Sequence, residues 1–110
     1  DESRLLGKKA IPLPVWNKMR SSEVYYLDIP FDVRANYLLE EYGTIPKEQL
    51  EKAITGISRR MGPEQSGNAL IALQNNDLVE VCRLCLIYYD KGYDYGLEKR
   101  ENLKLKKFTF

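Results

Sequence analysis

The first four residues of the chain, Asp1, Glu2, Ser3 and Arg4, combine side chains that can bind phosphate with carboxylates beside them. A guanidinium and a neighbouring hydroxyl can hold phosphate oxygens, while an adjacent carboxylate can orient a metal ion or a water molecule. No Gly-x-x-x-x-Gly-Lys-Ser/Thr loop occurs in the rest of the sequence, so Ser3 and Arg4 are expected to act with residues outside this chain. By itself the chain should be inactive. The alternative interpretation is a solvated N-terminus.

Arg59 and Arg60, which shortly precede Gly62, are the second candidates for phosphate binding. They lie at the end of a predicted helix, where the backbone dipole favours cations whether or not an anion binds. Phosphate binding and helix stabilisation therefore both remain open for these two arginines.

An aromatic and cationic segment near the C-terminus is the candidate for nucleic-acid binding. Four tyrosines lie between residues 88 and 95, and Lys99 and Arg100 follow them. Rings interleaved with cations can stack on unpaired bases and contact backbone phosphates. We assign this role to Tyr88, Tyr93, Lys99 and Arg100. The alternative places Tyr89 in the core and the other rings over the end of a helix.

The two cysteines, Cys82 and Cys85, lie on the apolar stripe of a predicted helix, and the chain has no histidine. On such a stripe cysteine behaves as a small hydrophobe, and a Cys-x-x-Cys pair without a turn is weak support for metal or redox chemistry. The sequence therefore predicts no metal site, and it identifies no catalytic residue.

Length and composition fit one small domain with a true core, because 44% of the 110 residues are apolar. The net charge of +1 excludes a strongly polybasic arm and an acidic disordered segment. No apolar run approaches the roughly 18 residues that cross a membrane, and no secretion signal opens the sequence. We therefore expect a soluble, cytoplasmic protein without membrane contact.

The first half of the chain has the pattern of helix, strand and helix. A helix is predicted over residues 13–20, a strand covered on both faces in a parallel sheet over 24–29, and a helix over 31–42. Gly43 can end the last of these in the left-handed conformation. This order predicts an α/β remnant over residues 1–45.

The second half predicts helices. One begins at Pro46 and ends at Gly62, the next runs from Pro63 to Asn75 and Asn76, and a third begins at Asp77. Short links predict an antiparallel helical cluster over residues 46–90. A final strand over residues 103–110 is expected to carry a bulge at Lys106 and Lys107. Residues 46–110 are thus a helical subdomain with a terminal strand.

The order of these motifs resembles the C-terminal half of the tRNA 2-selenouridine synthase family. The matching residues of the first half are Glu2-Ser3-Arg4, Gly7, Pro14, Met19-Arg20-Ser21, the strand from Val24 to Pro30, Arg34 and Leu38-Leu39-Glu40. Those of the second half are Arg60-Met61-Gly62, Ala69-Leu70, Tyr88-Tyr89-Asp90, Tyr93, Leu97 and Lys99. The similarity spans nearly the whole chain.

The resemblance implies that a rhodanese-like domain with a reactive cysteine and a P-loop segment precede this part, on the same or a separate chain. The implied fold is an α/β remnant of a P-loop domain followed by an α-helical subdomain, mostly helical with few strands. The implied reaction replaces the sulfur of wobble 2-thiouridine in tRNA by selenium through a geranylated intermediate. Selenophosphate and geranyl diphosphate would be cosubstrates, ATP or GTP binding is compatible with a P-loop, and no cofactor is implied in this chain.

The chain departs from the family pattern at residues 62–67, which lack the expected basic side chain. Arg4, Arg59 and Arg60 therefore remain the phosphate candidates. Two alternatives to the transferase are a non-catalytic module that binds nucleic acid or another protein, and a part of another P-loop protein that binds ATP or GTP.

Overall fold

The computed structural model describes residues 4–100 and 103–110, so Ser3 lies outside the described residues. The elements in chain order are β1 (Leu5–Leu6), β2 (Lys9–Ala10), α1 (Leu13–Ser21), β3 (Val24–Asp28), α2 (Phe31–Tyr42), α3 (Lys47–Met61), α4 (Pro63–Gln74), α5 (Leu78–Glu98) and β4 (Leu105–Thr109). Within these ranges, no helix combines the length and apolar character that crossing a membrane requires.

The chain forms two compact units. The sheet unit comprises Asp1–Asp28 and Gly96–Phe110, and the helical unit comprises Ile29–Tyr95. The boundary predicted at residue 45 concerns the domains of a longer protein and remains a prediction.

Two small sheets lie in the sheet unit. β1 and β2 form an antiparallel hairpin with Leu6 opposite Lys9, and Gly7 opens its two-residue turn with a φ of 64°. Glycine suits this position because side chains disfavour positive φ. β3 pairs in parallel with β4, in a register that places Val24 opposite Leu105 and Asp28 opposite Thr109. The hairpin of β1 and β2 has no counterpart among the predicted elements.

Two expectations about the second sheet are wrong. The predicted bulge at Lys106 and Lys107 is not present, because these residues pair in unbroken register with Tyr25 and Tyr26. β3 is not covered on both faces either, since Tyr25 and Leu27 are 64% and 58% exposed. The continuous run of apolar and aromatic residues in β3 therefore arises because the exposed face of the strand carries large side chains as well as the half-buried face.

The helical unit holds the core. Ile54 of α3, Leu73 of α4 and Val81 of α5 belong to one buried cluster, which Ala69 and Ala72 complete. The Pro63 start of α4, the left-handed Asn76 after it and the bond from the Glu80 amide to the Asp77 carboxylate follow the sequence signals. Gly62, with a φ of 97°, makes the turn between α3 and α4.

Two details of the helix ends differ from expectation. Gly43 has a right-handed φ of −62° and not the expected left-handed one, and a Cβ at this position would lie 2.7 Å from the Leu39 carbonyl oxygen, so a side chain there would require a local shift of the backbone. α5 continues to Glu98, well past the expected end near residue 90. Gly92 and Gly96 therefore do not break the helix, because the hydrogen bonds on either side continue it through both positions.

Candidate functional site

Charge separates between the two units. The sheet unit has ten basic and six acidic residues, hence a net charge of +4, whereas the helical unit has seven basic and ten acidic residues, hence −3. The net charge of +1 for the whole chain conceals this division. A cationic unit attracts polyanions such as nucleic acid.

Cations and aromatic rings lie next to each other on the sheet unit. The Lys106 ammonium lies 5.6 Å from the centre of the Phe108 ring, and the Lys107 ammonium lies 5.7 Å from that of Tyr26. Lys107 also pairs with the Asp28 carboxylate at 3.6 Å. The parallel pairing of β3 with β4 assembles this surface from distant parts of the sequence, so sequence reasoning missed it, although β3 carries two tyrosines and β4 carries two lysines and a phenylalanine.

The predicted nucleic-acid residues Lys99 and Arg100 belong to the sheet unit. Lys99 is exposed, whereas Arg100 is half-buried and donates a hydrogen bond from Nη2 to the Met19 carbonyl oxygen at 3.4 Å. Together with Lys18, Arg100 lines an open depression of about 600 Å³ beside α1. Arg100 thus has a structural contact in addition to its predicted role.

The sequence suggested that the predicted tyrosines lie at the end of the helix. They lie within α5 instead, because the helix is longer than predicted. Helical spacing places Tyr88, Lys91 and Tyr95 on one face and Tyr89 and Tyr93 on another. Tyr89 and Tyr93 line an apolar cavity in the helical unit. The Tyr88 ring lies edge-on to that of Tyr89, with ring centres 5.1 Å apart. Binding of nucleic acid by Tyr88 and Tyr93 remains a prediction.

The phosphate candidates are exposed arginines in different units. Arg4 precedes the hairpin of the sheet unit, and its backbone carbonyl accepts a hydrogen bond from the Ile11 amide at 2.7 Å. Arg59 and Arg60 lie in the last turn of α3 in the helical unit, where the helix dipole favours them. All three side chains are accessible to an anion, and phosphate binding by them remains a prediction.

Arg34 and Asp90, which both belong to the motifs that suggested the family, form an ion pair within the helical unit. The Arg34 Nη1 donates to the Asp90 carboxylate at 2.8 Å, and its Nε donates to the Ile29 carbonyl oxygen at 2.9 Å. The pair joins α2 to α5. We therefore attribute these two motif residues to the packing of the helices that surround the cavity.

An apolar cavity of about 450 Å³ lies among α2, α3 and α5 of the helical unit. Its walls include Leu39 from α2, Ile54 and Ile57 from α3, and Cys85 and Leu86 from α5. Burial raises the pKa of the Cys82 and Cys85 thiols, and for Cys85 the neighbouring Cys82 adds to the effect. Both cysteines are free. They are uncharged at neutral pH and serve as small apolar side chains, as the sequence predicts.

Across residues 4–100 and 103–110, no three His, Cys, Asp or Glu side chains come close enough together to hold a metal ion. The described side chains offer cationic, aromatic and apolar surfaces for binding.

The chain is similar to several bacterial tRNA 2-selenouridine synthases. The one from Shewanella sediminis is 32% identical, with 93% of this chain and 36% of the relative covered. Those from Serratia proteamaculans and Shewanella frigidimarina are 31% and 30% identical, with 91% and 93% of this chain covered. No protein-family model and no solved structure matches the chain.

The chain spans about a third of the length of these relatives and corresponds to their C-terminal part. The similarity covers more than nine-tenths of the chain and therefore extends over both units. At this identity and coverage, the chain belongs to the tRNA 2-selenouridine synthase family.

Proposed function

We propose that this chain is the tRNA-binding C-terminal part of a transferase that replaces the sulfur of wobble 2-thiouridine by selenium. The observation that carries the proposal is the similarity to tRNA 2-selenouridine synthases over nine-tenths of the chain. The reaction uses selenophosphate and passes through an S-geranylated intermediate made from geranyl diphosphate. A cytoplasmic location, where tRNA is modified, belongs to the same proposal.

The sheet unit contacts the tRNA backbone. Its +4 charge and its lysines beside aromatic rings suit phosphates and unpaired bases, whereas the −3 charge of the helical unit does not favour a polyanion. Lys99 lies on this cationic unit. On the helical unit, the Tyr88 face of α5 with Lys91 is a second, smaller contact with bases.

Arg4 binds a phosphate group of a cosubstrate. Its exposed guanidinium can hold two oxygens at once, with Ser3 beside it in sequence and the P-loop of the longer protein completing the site. Arg59 and Arg60 provide a further cationic position at the end of α3. A P-loop in the longer protein is compatible with ATP or GTP at the same place.

The experiment compares Arg4→Ala with Lys8→Ala in the longer protein, at saturating thiolated tRNA. Loss of a charge-assisted hydrogen bond is expected to lower the rate of selenation by about 10- to 100-fold in Arg4→Ala. Lys8→Ala is the matched control, because Lys8 is an exposed cation four residues away. An unchanged rate in Arg4→Ala would instead favour the non-catalytic binding module. The chain alone should give no turnover, and turnover by it would contradict the shared site.

A further inference from the structure

The sheet of β3 and β4 is unusual because it consists of two strands that run in parallel. Parallel sheets are normally covered on both faces, and a sheet of two strands is marginally stable without further strands or packing. Within residues 4–100 and 103–110, no third strand pairs with β3 or with β4. In the part of the chain that the structure describes, both outer edges of the pair are therefore open to another strand.

The outer edge of β3 presents the backbone groups of Tyr25 and Leu27. The Val24 amide donates to the Lys104 carbonyl oxygen at 2.7 Å, so the backbone groups of Val24 point towards β4. Because backbone groups of successive residues in a strand point to opposite edges, those of Tyr25 and Leu27 point away from β4. Such a row of amide and carbonyl groups is a template for a further strand.

The two outer edges differ in how strongly their residues oppose pairing. β4 carries Lys106 and Lys107 within five residues, and lysine on an edge strand discourages pairing with another strand. In β3 the one charged residue is Asp28, which ends the strand and pairs with Lys107 at 3.6 Å. The remaining residues of β3 are one valine, two tyrosines and one leucine, which suit a strand. β4 therefore has the features of an edge strand, and β3 has those of an inner strand.

One face of this sheet carries four large apolar side chains. The register places Tyr25 and Leu27 on the same face as Phe108, and the rings of Tyr25 and Phe108 meet edge to face with centres 5.9 Å apart. Phe110 shares this face because it lies two residues after Phe108. In this chain Tyr25, Leu27, Phe108 and Phe110 are 64%, 58%, 40% and 72% exposed. An adjoining set of exposed apolar side chains marks a surface that contacts another part of a protein.

We propose that the outer edge of β3 pairs with a strand from the preceding part of the longer protein. β3 then becomes an inner strand of a parallel sheet, and β4 stays at its edge. The matched part is 36% of the relative from Shewanella sediminis and lies at its C-terminal end, so most of that relative precedes it. The incoming strand runs parallel to β3, because purely parallel sheets are favoured over mixed ones. This inference goes beyond the proposed function and does not depend on it.

A second copy of the chain is a less suitable partner for this edge. Two copies related by a two-fold axis perpendicular to the sheet would pair β3 with itself in the antiparallel direction. Asp28 of one copy would then lie near Glu23 of the other, and like charges on adjacent strands are destabilising. A strand from the preceding part of the protein is not restricted in sequence or direction in this way.

Hydrogen exchange of single backbone amides in the longer protein measures which edge is paired. The amides of Tyr25 and Leu27 should exchange about 100-fold or more slowly than in an unfolded chain, because the docked strand accepts their hydrogen bonds. The matched controls are the amides of Lys107 and Thr109 on the outer edge of β4. They point away from β3, since the Phe110 amide donates to β3, and they should exchange quickly. The measurement needs no substitution, so it does not depend on how a variant folds.

Photo-crosslinking identifies the source of the strand. p-Benzoylphenylalanine is introduced in the longer protein in place of Tyr25, which exchanges one exposed aromatic side chain for another. Isotope-labelled and unlabelled protein are mixed before irradiation, so crosslinks within one chain and between copies differ in mass. The expected product joins position 25 to a peptide of the preceding part of the same chain. The control replaces Tyr37 of α2, which is 60% exposed, and should give no product with that peptide.

The outcomes decide the proposal. Slow exchange at Tyr25 and Leu27 with fast exchange at Lys107 and Thr109, together with a crosslink to the preceding part, supports it. Fast exchange on both edges, slow exchange on the β4 edge alone, or a crosslink between copies overturns it. Slow exchange on both edges also contradicts it, because β4 would then be an inner strand.

Discussion

The sheet unit and the helical unit differ in burial as well as in charge. Among the described residues, every buried side chain lies in the helical unit, and β4 of the sheet unit is exposed along its whole length. The helical unit thus has an internal core and an apolar cavity, whereas the sheet unit presents cations and rings on its surface. One unit therefore provides stability and an apolar cavity, and the other presents the cationic surface to which we assign tRNA in the proposed function.

The largest expected effect separates the units by stability. Leu73→Ala should lower the free energy of unfolding by about 2 to 5 kcal/mol, because Leu73 is 2% exposed and its loss leaves a cavity in the core. Leu27→Ala in β3, where the side chain is 58% exposed, should change it by less than about 0.5 kcal/mol. Urea unfolding followed by circular dichroism measures both. Equal losses would mean that the sheet unit contributes a core of its own.

A smaller effect is expected from the ion pair that joins α2 and α5. Arg34→Ala should reduce the free energy of unfolding by about 1 to 3 kcal/mol, because it removes a 2.8 Å bond to Asp90 and a bond to the Ile29 carbonyl. The control is Arg83→Ala, since Arg83 lies 3.9 Å from Asp32 and 3.7 Å from Glu80 and is 46% exposed. Its loss should cost about 0 to 1 kcal/mol. A larger loss of unfolding free energy in Arg83→Ala than in Arg34→Ala would show that the pair of Arg34 and Asp90 does not hold α2 and α5 together.

The smallest effect is a loss of stability at alkaline pH that originates in the helical unit. Burial raises the pKa of the Cys82 and Cys85 thiols above their ordinary value of 9.0. Below pH 9.0 both thiols are protonated in the folded and unfolded states, so their contribution to the free energy of unfolding is fully present. As pH rises further, the unfolded chain loses these protons first, and stability falls until the pH passes the raised folded values.

The measurement is urea unfolding between pH 8 and pH 10, compared with a variant that carries Cys82→Ala and Cys85→Ala. The variant should be less stable at pH 8 and should lose less stability over the interval. An identical pH dependence in both proteins would show that the thiols are not in the low-dielectric environment that the cavity provides.

Local sequence signals predicted the helices well. Pro46, Gly62 and Pro63 mark the boundaries of α3 and α4, and the Asp77 carboxylate caps α5 as its spacing from Glu80 indicates. The expected end of α5 was wrong because glycine disfavours a helix by only about 1 kcal/mol, which neighbouring hydrogen bonds and packing outweigh. Short-range sequence patterns were sufficient to predict a helix boundary where a capping residue or a proline acts on the residues next to it.

Long-range features could not be derived in this way. The pairing of β3 with β4 joins segments about eighty residues apart, and this places Lys107 beside both Asp28 and Tyr26. The cavity likewise depends on how three helices pack, which periodicity alone does not define. Arg34 and Asp90 were found as motif residues, but their contact required the structure.

The most direct test of the division between the units is the salt dependence of tRNA affinity in matched variants. Replacing Lys99 and Lys104 of the sheet unit with glutamine should weaken binding and lower the slope of log K against log salt by about two, about one for each lost phosphate contact. Lys52→Gln, which removes an exposed cation from the helical unit, should leave affinity and slope unchanged. If Lys52→Gln reduces the slope while the sheet-unit variant does not, the assignment of tRNA binding to the sheet unit is contradicted.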